Sequence, residues 1–267
     1  MMAPQRKFGS SIGIAIYLWC SALFLPLVCQ AEQSIPKVVI LADDSYPPYS
    51  FLADGELQGI YVELVKQAAM LLARDYDVTL MPVPWQRGLA ALEQGDAIAI
   101  LPPYRLEKER PYIARYSVPL QEEVVVAFCQ HDVDLGVLST TDNDGASLNV
   151  GVNAGFRILG ADFLTAKRAG KVQIWENKDT YANVIKLLKQ RLDCYINDRL
   201  STHYVVAALP DNLQERFAQI SEVREIMKRT AHIGYVADIK KKFSYQADFI
   251  AKMDQALLQI LAQQLPK

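Results

Sequence analysis

The chain has 267 residues, a formal charge of −2 from 28 Lys and Arg against 30 Asp and Glu, and a hydrophobic share of 51%. That content supports a packed core, and the near-neutral balance provides no basic face to track a phosphate backbone, so no nucleic-acid partner is expected. Lys240-Lys241-Lys242 reads as a solvated turn.

Residues Met1 to Lys7 carry Arg6 and Lys7 and no acid, and Ile12 to Val28 is almost wholly apolar before Cys29-Gln30-Ala31. A positive start, an apolar stretch and small residues at the third and first places before Glu32 predict a secretory signal peptide over 1–31 and a periplasmic mature protein. The run Ser10 to Val28 is also about long enough for an uncleaved anchor, but Pro26 and the small-residue end favour processing. Cleavage leaves 267 − 31 = 236 residues and a charge of 26 − 30 = −4, enough chain for one large or two small domains.

Val38, Val39 and Ile40 predict a strand that breaks into Asp43-Asp44 and then the turn Tyr46-Pro47-Pro48-Tyr49, which two fixed φ angles stiffen. After Gly55 and Gly59, the apolar residues Ile60, Val62, Leu64, Val65, Ala68 and Leu72 recur at helical spacing. Val78 to Val83 reads as a second strand leading to Trp85. Gln86 to Gln94 reads as a helix closed by Gly95, and Ala97 to Leu101 as a third strand. Such alternation implies parallel βαβ units, whose ligands sit beyond the carboxyl ends of the strands. Asp43, Trp85 and the segment Pro102 to Arg110 should therefore converge on one rim.

The long extended run Val118 to Phe128 reads as a crossing into a second lobe. There Asn149 to Val152, Gln173 to Trp175 and Cys194 to Asn197 are expected strands, with helices from about Ile158, Thr180 and Arg199. Asp179 is the N-cap of the second helix, and Val184, Leu187 and Leu188 form its inward face. His232 to Val236 would return the chain to the first lobe, ahead of a helix over Gln246 to Gln263. The expected architecture is α/β: two similar lobes, 32–121 with 238–267 and 122–237, joined by a two-crossing hinge. Two mature cysteines, Cys129 and Cys194, lie in strand-like runs of the second lobe and are either a disulfide or two buried thiols. With no CxxC pair and His131, His203 and His232 scattered, no metal or cofactor is expected.

Asp43, Tyr46, Pro48, Tyr49, Phe51, Gly59 and Glu63 resemble the D-x-x-Y/F-x-P-F/Y-x-F and G-F-D-x-D spacing of the bacterial extracellular solute-binding proteins of family 3, the polar amino-acid binders of ABC importers. Pro84-Trp85 with Gly88, Leu92, Gly95 and Asp96 continues the likeness, as do Glu109-Arg110 with Tyr116-Ser117, Gly151 to Gly155, and Asp193 to Asp198. The resemblance spans about residues 36 to 240 and implies a type II periplasmic binding protein fold. It further implies that Tyr46 and Trp85 sandwich a ligand, that Arg110 forks onto its α-carboxylate, and that Asp198 accepts from its α-ammonium, with Asp43 and Asn153 in the same cleft. Two departures stand out. Pro102-Pro103-Tyr104-Arg105 replaces a small residue and Thr, making Arg105 a possible second cation, and Phe156-Arg157 stands where Thr or Ser would help bind the carboxylate.

The function implied is capture of a small polar ligand, an amino acid or relative, by a monomer that hands it to an ABC-type permease in the inner membrane. Beyond the expected signal segment the chain carries no G-x-S-x-G motif, zinc spacing or phosphate loop, and a non-enzymatic role is expected. The alternatives are a dehydratase-like cleft enzyme of the same fold and a sensing module for a signalling partner. The signal reading predicts that exported protein has an intact mass starting at Glu32; full-length chain recovered only from membranes would refute it.

Overall fold

The computed structural model describes residues 1–2, 34–138 and 147–264. Apart from Met1 and Met2, the expected signal segment lies outside the described residues. In chain order the first lobe opens with β1 (Lys37–Asp43), β2 (Ser45–Tyr46), β3 (Ser50–Ala53), β4 (Glu56–Gln58), α1 (Ile60–Leu71), β5 (Asp77–Val83), α2 (Trp85–Glu93), β6 (Ala99–Leu101) and β7 (Ile113–Tyr116). The second lobe contains β8 (Glu122–Cys129), β9 (Leu148–Asn153), α3 (Ala161–Arg168), β10 (Val172–Asn177), α4 (Thr180–Leu188), β11 (Cys194–Asp198), α5 (Arg199–Ala207), α6 (Asp211–Phe217) and β12 (Ser221–Thr230). The chain then returns through β13 (Gly234–Val236) to α7 (Gln246–Gln264).

The two lobes are built alike. The first sheet has the order β5-β1-β6-β13-β7 and the second β10-β9-β11-β8-β12. Each begins with three parallel strands and then takes an antiparallel fourth, β13 or β8, delivered by a crossing from the other lobe. The crossings themselves run side by side: Leu120 donates to the Ala231 carbonyl, Ala231 to that of Gln121, and Ser117 to that of Ile233. The Ser117 hydroxyl accepts from the Ile233 amide, closing the hinge ladder.

Helical period decides which side chains fill the cores. On α1, Tyr61, Val62, Leu64, Val65 and Ala68 are buried, and on α7 Phe249, Met253 and Leu257 face the same first-lobe core. In the second lobe, Val184, Leu187 and Leu188 of α4 are buried, and the Asp179 carboxylate caps that helix through the Ala182 amide.

Three features differ from expectation. Gly234–Val236 pairs with β6 and β7, so the return crossing ends at Ile233 and residues 234–236, expected in the second lobe, extend the first sheet. Gly234 fits because a Cβ there would come within 2.7 Å of the Pro103 ring. β7 and β12 were not expected as strands. Both lie at sheet edges and carry exposed charged residues, which blunt an edge against further pairing and erase the apolar signal of a strand.

Cys129 and Cys194 sit directly opposite on β8 and β11 and are joined by a disulfide, with Cα atoms 4.0 Å apart. The bond closes a loop across a sequence separation of 65, which constrains the unfolded chain. Replacing both cysteines by Ala should lower unfolding stability by about 2–4 kcal/mol in denaturant titrations of the exported protein. Stability equal to wild type would show that the bridge does not form.

Candidate functional site

Parallel pairing places Asp43 beside Val83 and Ala42 beside Leu101, so β1, β5 and β6 end together. Trp85, the first residue of α2, and Pro102 therefore meet Tyr46 and Arg110 on one rim. From the second lobe, the end of β9 presents Asn153 and the loop 154–157 to that rim. A small cavity of about 20 Å³, room for about one water, lies between Tyr46, Trp85, Tyr104, Arg110, Phe156 and Arg157. A second cavity, lined by Asp43, Asp44, Asn153 and Lys178, shares only Trp85 and Phe156 with the first.

Phe156 is the wedge between the lobes. Its ring meets Tyr46 edge-on at 5.2 Å and Trp85 at 6.2 Å, so it stands in the slot between the two rings expected to hold a ligand. Arg110 is buried, donates from Nη2 to the Gly155 carbonyl at 2.9 Å and lies 5.4 Å from the Trp85 ring centroid. Gly155 has φ +81°, and a Cβ there would sit 3.3 Å from Trp85 Cδ1, so this close approach favours glycine. Trp85 Nε1 faces the same place, enclosed and with no hydrogen-bond acceptor among the described residues.

A second set of contacts was not visible in sequence. Glu123, at the start of β8, is 1% exposed and accepts hydrogen bonds from the hydroxyls of Tyr46, Tyr104 and Tyr61, the last at 2.7 Å. All three tyrosines belong to the first lobe. Tyr49, stacked on Tyr61 at 4.7 Å, donates its hydroxyl to Asp198 Oδ1 at 2.9 Å. Tyr46 and Tyr49 were legible from the turn motif. Glu123 was not, because the pair Glu122-Glu123 at the head of an apolar run looks like edge charge.

The expected residues thus divide. Tyr46, Trp85, Arg110, Phe156 and Arg157 line the first cavity, and Asp43 and Asn153 the second. Asn153 is engaged within its lobe: its Oδ1 accepts from Asn183 and Tyr195, and its Nδ2 donates to Thr180. Asp198 lines neither cavity; it caps α5 through the Ser201 amide and accepts from Val124 and Tyr49. Arg105 lies at the surface in a 2.6 Å ion pair with Glu107, because Leu106 rather than Arg105 turns inward from this loop.

Burial shifts the carboxyls. Desolvation raises Glu123 from 4.5 to about 7, with the Asp198 charge adding and the tyrosine hydroxyls opposing. Asp43 rises to about 8, chiefly by desolvation, with Asp44 and Asp179 adding like charge. Among the described residues no group of three or more His, Cys, Asp or Glu could hold a metal ion, and no helix is long and apolar enough to cross a membrane.

Two α/β lobes with a cleft at the strand ends and two hinge crossings define a solute-binding protein architecture. The family model of the bacterial extracellular solute-binding proteins, family 3, matches residues 38–266, and the chain belongs to that family. No curated protein matches the chain. Solved structures share the fold. A histidine kinase sensor domain with similarity to periplasmic binding proteins is 16% identical, with a TM-score of 0.64 over 85% of this chain and 91% of that one. ArtJ, an arginine-, lysine-, histidine-binding protein from Geobacillus stearothermophilus, is 18% identical, with a TM-score of 0.60 over 85% and 90%. AncCDT-1, an ancestral amino acid-binding protein and precursor of cyclohexadienyl dehydratase, is 17% identical, with a TM-score of 0.61 over 85% and 89%.

The raised Glu123 carboxyl has a defined consequence for stability. A folded value of about 7 above an unfolded 4.5 means that its contribution is complete below about pH 4.5 and is lost as pH rises through 7. Asp43 acts in the same direction up to about pH 8, whereas burial lowers His232 and gives the opposite slope near its ordinary value of 6.5. Subtracting wild-type from Glu123→Gln melting temperatures isolates the carboxyl. That difference should rise from pH 5 to 8, and a flat difference would show that Glu123 is ionised throughout.

Proposed function

We propose that this chain is an exported binding protein that captures a small ligand between its lobes and delivers it to an ABC-type permease. The observation that carries the reading is Arg110, a buried first-lobe cation whose guanidinium reaches across the cleft to a second-lobe carbonyl. A ligand acceptor can take the place of that carbonyl, because a guanidinium fork matches a carboxylate better than a single peptide oxygen. Tyr46 and Trp85 supply flat apolar walls, and the Trp85 N–H supplies a further donor. Entry requires Phe156 to leave the slot with the rest of the second lobe, so binding and hinge closure are one event.

Glu123 has the raised value of a general acid, the feature a dehydratase-like reading would need. Three hydroxyls already engage both its oxygens and it lines neither cavity, which supports a structural role and leaves binding as the favoured reading.

A thermal-shift screen should find a ligand that stabilises the protein by about 2.7 kcal/mol at 100 times its dissociation constant. Titration calorimetry should then show Arg110→Ala losing about 2–5 kcal/mol of affinity, since it leaves a ligand charge unpaired in a desolvated cleft. Trp85→Ala should lose less, about 0.5–2 kcal/mol. Wild-type affinity in Arg110→Ala would place the ligand elsewhere.

A further inference from the structure

We infer that the ligand is an organic acid lacking an α-ammonium group: a carboxylate held at Arg110, with an apolar or flat body between the cleft rings. The inference rests on the solute-binding reading of this cleft. Every polar side chain lining the first cavity either donates or is already engaged. Arg110 and Arg157 are both cations, burial lowers Arg110 with the Arg157 charge adding to the effect, and Arg157 has no side-chain hydrogen bond or ion pair among the described residues. The Trp85 N–H lacks an acceptor, while the hydroxyls of Tyr46 and Tyr104 are committed to Glu123. No Asp or Glu lines the cavity, and the acid nearest Arg110 in sequence, Glu109, is exposed. Two guanidiniums suit an anion, and an ammonium placed beside them would meet like charge and no acceptor.

The carboxylate that could have received an ammonium is occupied by the protein itself. Asp198 is 2% exposed, with Oδ1 accepting from the Tyr49 hydroxyl and the Ser201 amide and Oδ2 from the Val124 amide. Tyr49 is fully enclosed, stacked 11° from parallel on Tyr61, whose own hydroxyl is held by Glu123. With the lobes together its hydroxyl therefore stands on Asp198 in place of a ligand donor. The other cleft acids, Asp43 and Asp44, line the second cavity, beyond the Trp85 and Phe156 rings that wall both. An ammonium one carbon from a carboxylate on Arg110 belongs on the cationic side of that wall.

The test uses matched pairs differing only at the α-carbon: 3-phenylpropionate and phenylalanine, glutarate and glutamate, 5-guanidinopentanoate and arginine. Calorimetry on the exported protein should show, for at least one pair, the deamino acid binding about tenfold or more tighter than its amino acid, the worth of one hydrogen bond to a charged group. Amino acids that bind wild type at least as tightly as their deamino partners in every pair that binds would overturn the inference while leaving the solute-binding reading intact. Failure of every acid and every amino acid to bind would overturn both. Tyr49→Phe, which removes one of the two donors on Asp198 Oδ1 and leaves the Ser201 amide, should shift the acid-to-amino-acid ratio about tenfold toward the amino acid; an unchanged ratio in the folded variant would remove Tyr49 as the determinant.

Discussion

A carboxylate taken out of water must be matched by donors, and Glu123 is matched by three tyrosine hydroxyls from the opposite lobe. Glu123 follows directly on the first crossing, so satisfying it ties the start of the second lobe to the floor of the first. Tyr49 on Asp198 adds a parallel tie at the end of β11. The lobes meet through a polar layer behind the cleft, and hydrogen bonds to charged groups of this kind are worth about 1.5–3 kcal/mol each. Opening the hinge means exchanging some of these for water, which gives the closed form a stability of its own.

In front of that layer the cleft is built from rings and guanidinium. Trp85 and Tyr46 come from the first lobe and Phe156 from the second, and Arg110 ties them by lying against Trp85 while bonding Gly155. This aromatic contact divides the cleft into one compartment lined by Arg110 and Arg157 and another lined by Asp43, Asp44 and Lys178. In the proposed binding role, the loop that fills the slot is the one a ligand would displace, which would couple capture to lobe movement.

Behind β9 the second lobe buries amides and hydroxyls rather than an apolar seam. Asn153, Asn183, Thr180 and Tyr195 satisfy one another, with Asn177 donating to Asn183. A satisfied network of this kind holds the strand ends rigid. It also explains why Asn153, at a ligand-facing position by resemblance, has both ends of its amide used within the protein. Gly151 belongs to the same layer, since a Cβ there would come 2.4 Å from the Asn183 carbonyl oxygen.

Much of this was legible along the chain because it depends on local chemistry. The apolar periods of α1, α4 and α7, the Asp179 cap, the strand ends that bring Asp43, Trp85 and Arg110 to one rim and the two-lobed α/β plan follow from short-range pattern. What the sequence could not decide were matters of partner choice across long separations. Whether Cys129 would face Cys194, whether Asp198 would keep a free oxygen, and whether Arg105 or Arg110 would turn into the cleft depend on which side chains arrive from the other strand or lobe. Tyr49 and Asp198 are 149 residues apart, and Tyr61 and Glu123 are 62 apart. Residue spacing carries no information about such meetings, because hydrogen bonds and ion pairs are settled by three-dimensional distance and desolvation. Only the packed lobes determine which carboxylates remain available to a ligand.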